Sequence, residues 1–556
     1  MKKLLAILLA AIMLLSSCGV SERNPAEQGS SETSGSEAGN GEIVTDVPKS
    51  TSDSVDTEAP DSTDYTQTTN PFEGIFELDI YGHPLPELRE LECALSYEEV
   101  CEMYPDKTVL TWLISYVDHT YATRRTQEIN DYLVSLGKDY VVYFEPYIDN
   151  KYRDPHYVII QDRIDNGEKF DIIFEFSDFL GQAGLTIPLD DYLQNTEIGQ
   201  ELLELMPENY WRASTNNDGI YGLGNASFVI GHTLLCFYNA ELVDKYGYDI
   251  NKSPLEQLDI LHEIDENEED TCTVYGPTPS NYVAPYTNYR SIEPPLYWDK
   301  NTDEAKLALD NQEYLETVYT LSKLYDEGLL IKSLYSLYDD SFFMYCCQGV
   351  VPTFLTSFQI NDDGTYTVLN AAKEPVTCYM TTPNGPMAIN NPWYATGVAA
   401  VSEHKDEAFD LLATSYVDAT LNNLLTYGVE GVDYTVDEDG STGTGSFATM
   451  LYANPLIGRT STGNCSEYQD FLRNMLETAP CEDDIEFVPN FLDYYDMLSE
   501  ASLVMTDFAD TLSHGVATRE EFDAIVAEYR EKILQTGIQE AIDGINAQYA
   551  EWKSKQ

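Results

Sequence analysis

Three stretches early in the folded part of the chain are almost unbroken apolar runs: TVLTWLISYV (108–117), YVVYFEPY (140–147) and FDIIFEF (170–176). A strand with one wet face alternates apolar and polar residues. One that does not alternate is covered on both faces, as in a parallel sheet flanked by helices. Between the first two runs, Ile129, Leu133 and Leu136 recur at helical spacing within 123–136, and Gly137 supplies a stop. Strands alternating with helices predict an α/β class. The third run breaks off at Ser177, Asp178 and Phe179. Those residues suit a helix start capped by Ser177 or Asp178. They equally suit the rim of a binding cleft, because ligands of open α/β sheets sit beyond the carboxyl ends of the strands.

Later segments repeat the helical signal. Tyr314, Leu315, Val318, Leu321 and Leu324 form a stripe ended by Gly328. Thr518 and Glu521 have capping-box spacing before Phe522, Ile525, Tyr529 and Ile533. After Gly537, Ile538, Ile542, Ile545, Tyr549 and Trp552 line a last helix. These stripes are packing faces. The roughly 450 residues that follow the N-terminal segments are too many for one ordinary core and suit two. Residues 71–106 form an N-terminal extension, a Pro-rich loop followed by a short helix at 97–103.

The chain opens with Lys2 and Lys3, an apolar run at 4–15, and Ser16, Ser17, Cys18. The run is too short to span a bilayer comfortably and has the zones of an export signal. A cysteine directly after Leu-Ser-Ser resembles the lipobox of bacterial lipoproteins, in which the signal is cut before the cysteine and acyl chains are added to it. This implies a signal peptide at 1–17, with Cys18 carrying the lipid (palmitate), and an extracytoplasmic protein anchored to the cell membrane. The alternative is a plain secretory signal with an incidental cysteine. Residues 18–70 are mostly Ser, Thr, Glu, Asp, Gly and Pro, too poor in apolar side chains to offset ordering entropy. A tether of that length spans roughly 40 Å.

A formal net charge of −66 argues against nucleic-acid or anionic-lipid binding, which needs clustered Lys and Arg. Besides Cys18 there are Cys93, Cys101, Cys236, Cys272, Cys346, Cys347, Cys378, Cys465 and Cys481, an odd number that leaves at least one thiol unpaired in a monomer. No spacing among them suggests zinc. Cys236, in LLCFYN, reads as a small core residue. The sequence has no GxSxG, HExxH, Walker or GxGxxG pattern. No catalytic residue, metal ligand or cofactor is therefore assigned, although a pair of glycosidase-type carboxylates is not ruled out by inventory. The 41 tyrosines are the unusual feature. Several aromatics fall in segments between predicted elements: Trp112 and Tyr116; Tyr282, Tyr286 and Tyr289; Tyr297 and Trp298; Trp393 and Tyr394. Rings beside Asp, Asn and Arg suit sugars, whose C–H patches stack on them while hydroxyls find planar polar partners. Peptide binders use similar surfaces.

Taken in order, VLTW, DIIF, TIPLDDYL, GIYGL (219–223), LLCFYNAELVDKYGYD (234–249), LYDEGLL, FFMYCCQGVVPTFLT and GVAAVSEHKDEAFDLL resemble the extracellular solute-binding proteins of ABC importers. The resemblance is to the carbohydrate-type lipoproteins related to maltose-binding protein, from about residue 107 to the end. It implies a two-lobed, hinge-linked type II fold with the ligand cleft between the lobes. The chain is expected to cross between lobes near 224–234, 379–394 and 431–453. Lobe one would be 107–228 plus 395–432, and lobe two 229–394 plus 433–556. It implies ligand contacts at Ser115, Tyr116 and Asp118 after the first strand, and at Asp178 with Phe176 or Phe179 after DIIF. In the second lobe it implies Thr356 and Phe358, Tyr286 and Arg290 in a closing loop, and Asn391, Trp393 and Tyr394 at the second crossing. The expected activity is non-catalytic capture of a carbohydrate, an oligosaccharide by preference, by a monomer that hands it to an ABC permease. A peptide binder of the same fold, a surface glycan-cleaving enzyme and a sensor or adhesion protein are the alternatives.

Overall fold

Strands apolar on both faces need cover on both sides, and helices on either side of one sheet supply it. In a computed structural model the residues described are 95–115, 122–147, 156–230, 234–268, 289–292, 295–329, 349–352, 358–361, 364–369, 375–381, 389–392, 394–437, 440–442, 454–460, 465–512 and 515–556. Strand β1 (Thr108–Ser115) lies parallel between β2 (Tyr140–Tyr147) and β3 (Ile172–Phe176). A small hairpin of β4 (Thr215–Asn216) and β5 (Gly219–Ile220) precedes β6 (Leu223–Gly224), and β7 (Leu234–Asn239) opens a second sheet. Next come β8 (Tyr289–Ser291), β9 (Leu296–Asp299), β10 (Glu304–Leu307), β11 (Gly349–Pro352), β12 (Phe358–Ile360), β13 (Tyr366–Leu369), β14 (Pro375–Thr381) and β15 (Tyr394–Val398).

The first sheet has the order β2-β1-β3-β15-β6, with β15 antiparallel to both neighbours. Its strands divide their side chains by parity, as the pleat requires. Leu110, Trp112, Ile114, Ile172, Phe174 and Val398 enter the main core of this lobe. Leu113, Ile173, Ala395 and Ala399 join a smaller core with Phe170, Leu180 and Leu185. The polar break at Asp171 is buried and satisfied: its carboxylate accepts from the Thr111 N–H at 2.8 Å and the Ser402 hydroxyl at 2.6 Å. Fully buried Asn130, on the helix Thr126–Ser135, fastens that helix to β2 through bonds of 2.9 Å and 2.7 Å to the carbonyl and N–H of Val142. The short helix Tyr97–Met103, started by a capping box of Ser96 and Glu99, lies against β2.

The second sheet, β11-β7-β14-β13-β12, is antiparallel throughout, and a three-stranded sheet β10-β9-β8 accompanies it. The second core gathers Tyr238, Trp298, Tyr314, Val318, Phe522 and Ile545. The YNAEL motif explains itself here. Tyr238 is buried, and the Asn239 side chain caps the helix Ala240–Tyr246 by accepting from the N–H groups of Glu241 and Leu242. That helix closes at Gly247, φ 68°, where a left-handed residue is needed. The helices Arg519–Leu534 and Ile538–Lys553 complete this lobe; Thr518 caps the first, and Gly537 at φ 87° separates them.

One expected boundary is corrected. Of the described residues assigned to lobe two after 433, Leu456, Leu472, Leu476, Ala479 and Ile485 belong to the first core. The reason is the amphipathic helix Cys465–Thr478. Its apolar face meets the helix Glu208–Ser214, with Asn209 Nδ2 bonded to the Leu476 carbonyl at 2.8 Å and Arg473 bonded to the Leu205 carbonyl at 3.1 Å. The first core thus runs on to Ile485 and the second takes up at Phe487; of the crossing expected at 431–453, residues 438–439 and 443–453 lie outside the described residues.

Candidate functional site

The carboxyl end of β3 runs directly into the helix Ser177–Gln182. The Ser177 hydroxyl donates to the Pro392 carbonyl, tying the helix start to the segment that enters β15. Beside it, half-buried Asp178 receives the Ser177 hydroxyl at 3.5 Å on its carboxylate and Asn216 Nδ2 at 3.4 Å on its backbone carbonyl. These groups border a small pocket, partly open to solvent, whose wall includes Ser177, Asp178, Thr215, Asn216, Tyr221, Gly222, Asn391, Pro392 and Val488. Gly222 is a close approach: a Cβ there would lie 2.7 Å from the Leu180 side chain and 3.0 Å from that of Ala395.

Most polar groups in this wall hold the frame together. Asn391 Nδ2 donates to the carbonyls of Ala213 and Ile485, each at 2.9 Å. Thr215 donates to the Trp211 carbonyl at 2.9 Å, and the Tyr221 hydroxyl to Asp218 at 3.1 Å. Burial, with Asp218 and Asp190 nearby, raises the Tyr221 pKa above its ordinary value. Asn217, at φ 55°, spans the neighbouring chain: its N–H donates to the Glu486 carbonyl at 2.8 Å, its Nδ2 to the Val488 carbonyl at 2.7 Å, and its Oδ1 accepts the Val488 N–H at 3.2 Å. Asp178 is the carboxylate in the wall. A carboxylate accepts several hydrogen bonds, which is the chemistry that holds vicinal hydroxyls.

The structure brings two of the expected ligand residues, Asp178 and Asn391, to one cavity. Phe179 is on the same short helix but does not line it. Ser115 ends β1, beside β3. Phe176 pairs with Tyr394 in the β3–β15 ladder, Arg290 lies on β8 and Phe358 on β12; the structure gives backbone positions for these three and for Ser115. Tyr116, Asp118, Tyr286, Thr356, Trp393 and Cys18 lie outside the described residues. Tyr394 is a correction. It is buried in the first core, stacked on Phe174 with ring centroids 5.2 Å apart, because β15 is a central strand with both faces covered. Trp112, Tyr297 and Trp298, read as aromatics between predicted elements, are likewise core residues, each 1% exposed. Sequence reasoning missed Ser177 as a clip, and missed Asn216, Asn217, Tyr221 and Val488. The run STNNDG at 214–219 was the available signal, a cluster of turn-forming side chains just before GIYGL. Among the described residues no group of three or more His, Cys, Asp or Glu is placed to hold a metal ion.

No protein-family model matches the chain, and no curated protein matches it. Solved structures do. The N-glycan transport solute binding protein NgtS of Streptococcus pneumoniae matches 81% of this chain and 100% of its own at 18% identity, TM-score 0.60. The same protein in complex with Man1GlcNAc gives 80% and 99% at 16% identity, TM-score 0.57. The fold is that of the type II solute-binding proteins. A human-milk-oligosaccharide-binding, ABC-transporter-associated protein of Bifidobacterium longum infantis shares this solute-binding fold over 80% of the chain and 98% of its own, at 15% identity and TM-score 0.52. In that frame the cavity lies where the first lobe turns its strand ends toward the crossing segments. In this chain β15 returns from the second sheet and inserts antiparallel beside β3.

Proposed function

We propose that this chain is an extracytoplasmic solute-binding protein that captures an oligosaccharide and delivers it to an ABC permease, held to the membrane by lipid on Cys18. The observation that carries the reading is the polar cavity with Asp178 at the carboxyl end of β3, in a two-lobed fold shared along nearly the whole length of oligosaccharide-binding transport proteins. Residues 18–70 serve as a spacer between membrane and fold, and the functional unit is a monomer that works without catalysis. Among the described residues no helix is long and apolar enough to cross a membrane. Ser115, Tyr116, Asp118, Phe176, Phe179, Tyr286, Arg290, Thr356, Phe358 and Trp393 remain proposed solute contacts around Asp178.

Titration calorimetry against mannose- and N-acetylglucosamine-containing oligosaccharides, milk oligosaccharides and a set of peptides tests this. Binding to at least one oligosaccharide, weakened by ~1.5–3 kcal/mol in Asp178→Ala, is expected for loss of charged hydrogen bonds. Peptide binding with no response to any sugar would overturn the ligand class. Unchanged affinity in Asp178→Ala would remove that residue from the site.

A further inference from the structure

The chain between the two cores at 480–491, PCEDDIEFVPNF, is stitched to both lobes residue by residue. Toward the first lobe, Arg212 donates to the Glu486 carboxylate at 3.0 Å and the Glu482 carbonyl at 2.8 Å. Gln182 donates to the Pro489 carbonyl at 2.8 Å, and Asn217 holds Glu486 and Val488 by the three bonds described above. Toward the second lobe, Phe487 packs against Tyr549, Trp298 and Trp552 at ring-centroid distances of 5.0, 5.6 and 5.7 Å. Lys300 pairs with Glu482, while Asn490 and Gln548 exchange bonds of 2.8 and 3.1 Å. Val488 is also part of the cavity wall.

We infer that this strap sets the resting separation of the lobes and couples it to the cavity, with Asn217 as the positioning residue. A short segment whose neighbours alternate between two bodies cannot let one turn against the other without breaking bonds at the fixed end. Asn217 supplies the fixed end, gripping Val488 on both sides of its peptide while Phe487 is buried in the other lobe. A turn of lobe two must therefore drag Phe487 against the clamped Val488, which moves the cavity wall. Asn217 would tune solute release without touching solute. This inference rests on the solute-binding reading for its meaning, though not for its test.

The test is made without solute on the full chain, with fluorophores on click-reactive amino acids at positions 136 and 531, exposed sites on the two lobes. Asn217→Gly keeps the positive φ and removes the side-chain clamp. It should broaden or shift the single-molecule inter-lobe distance distribution and speed hydrogen exchange at the Val488 amide on the order of tenfold. Asn217→Asp retains an acceptor for that amide but turns a carboxylate oxygen toward the Val488 carbonyl and Asn216 Oδ1, so the Val488 amide should stay protected while the distance distribution still shifts. Should the glycine variant fail to fold, the aspartate variant and Arg212→Gln carry the test through the same distribution. A distribution identical to wild type in folded variants would overturn the inference. Adding Man5GlcNAc then examines the solute reading separately: absence of binding by wild type would count against that reading and leave the strap result standing.

Discussion

Asn391 separates a ligand contact from a structural clip, because the two roles predict opposite behaviour. Its amide donates to two carbonyls, Ala213 at 2.9 Å and Ile485 at 2.9 Å, joining the end of one helix to the chain that leaves for the second lobe. Asn391→Ala removes both bonds. At ~0.5–1.5 kcal/mol each, the loss should be about 1–3 kcal/mol of stability. Asn391→Asp should be worse than alanine, since a carboxylate has no donor to offer and faces two carbonyl oxygens. Acidifying toward the ordinary Asp pKa of about 4 should recover part of that loss, because the protonated carboxyl again donates one bond. Urea unfolding followed by tryptophan fluorescence, at neutral and acid pH, reads the order directly: wild type, then alanine, then aspartate at neutral pH. An aspartate variant as stable as wild type would refute the clip. So would a fall in solute affinity with unchanged unfolding midpoints in both variants.

Other consequences concern parts of the lobes away from the cavity. Arg125 grips Asp433 through two nitrogens, Nε at 2.7 Å and an Nη at 2.5 Å, while Asp433 also accepts the Val429 N–H at 2.7 Å; Arg125→Gln should therefore lower the unfolding free energy by ~1–3 kcal/mol, measured by denaturant titration. Burial of Cys378 pushes its thiol up to about 12, so in the native protein it should resist a thiol reagent at neutral pH and react once urea unfolds the chain; prompt native labelling would contradict the placement. Burial raises the pKa of Tyr140, Tyr210, Tyr416 and Tyr192, the last to about 12 with help from Asp406. A raised folded-state pKa gives stability that is full below the unfolded value and lost as pH climbs through the folded one. The thermal midpoint should hold up to about pH 10 and fall steeply above it.

Much of the fold could be read from the sequence because burial on two faces leaves a plain mark. The runs at β1, β2 and β3 are largely apolar at consecutive positions, and the side chains of β1 and β3 do split between two cores. The terminal helices were equally plain, since the Gly537 break and the Thr518 cap are local chemistry. The division of the C-terminal third was not. The helix Cys465–Thr478 is amphipathic, and amphipathicity says that a face is buried but not against which lobe. The aromatics misled for a related reason. A tyrosine near an element end has the same sequence signature whether it meets solvent or, like Tyr394, stacks in the core.

The same ambiguity governs the strand end after FDIIF, where polar residues mark either a frame or a grip. Ser177 is spent on Pro392, Asn216 on Asp178 and Asn217, Asn391 on two carbonyls, and Thr215 on Trp211. A hydroxyl or amide already satisfied by protein gains little by exchanging that partner for a sugar. In the proposed reading, recognition at this end of the first lobe would rest on Asp178, because a carboxylate accepts more than one donor. One carboxylate in one lobe would orient a bound sugar ring without choosing among sugars of similar shape. Under the same reading, selectivity would come from what the second lobe brings, and the inferred strap held by Asn217 would set how that lobe meets the solute.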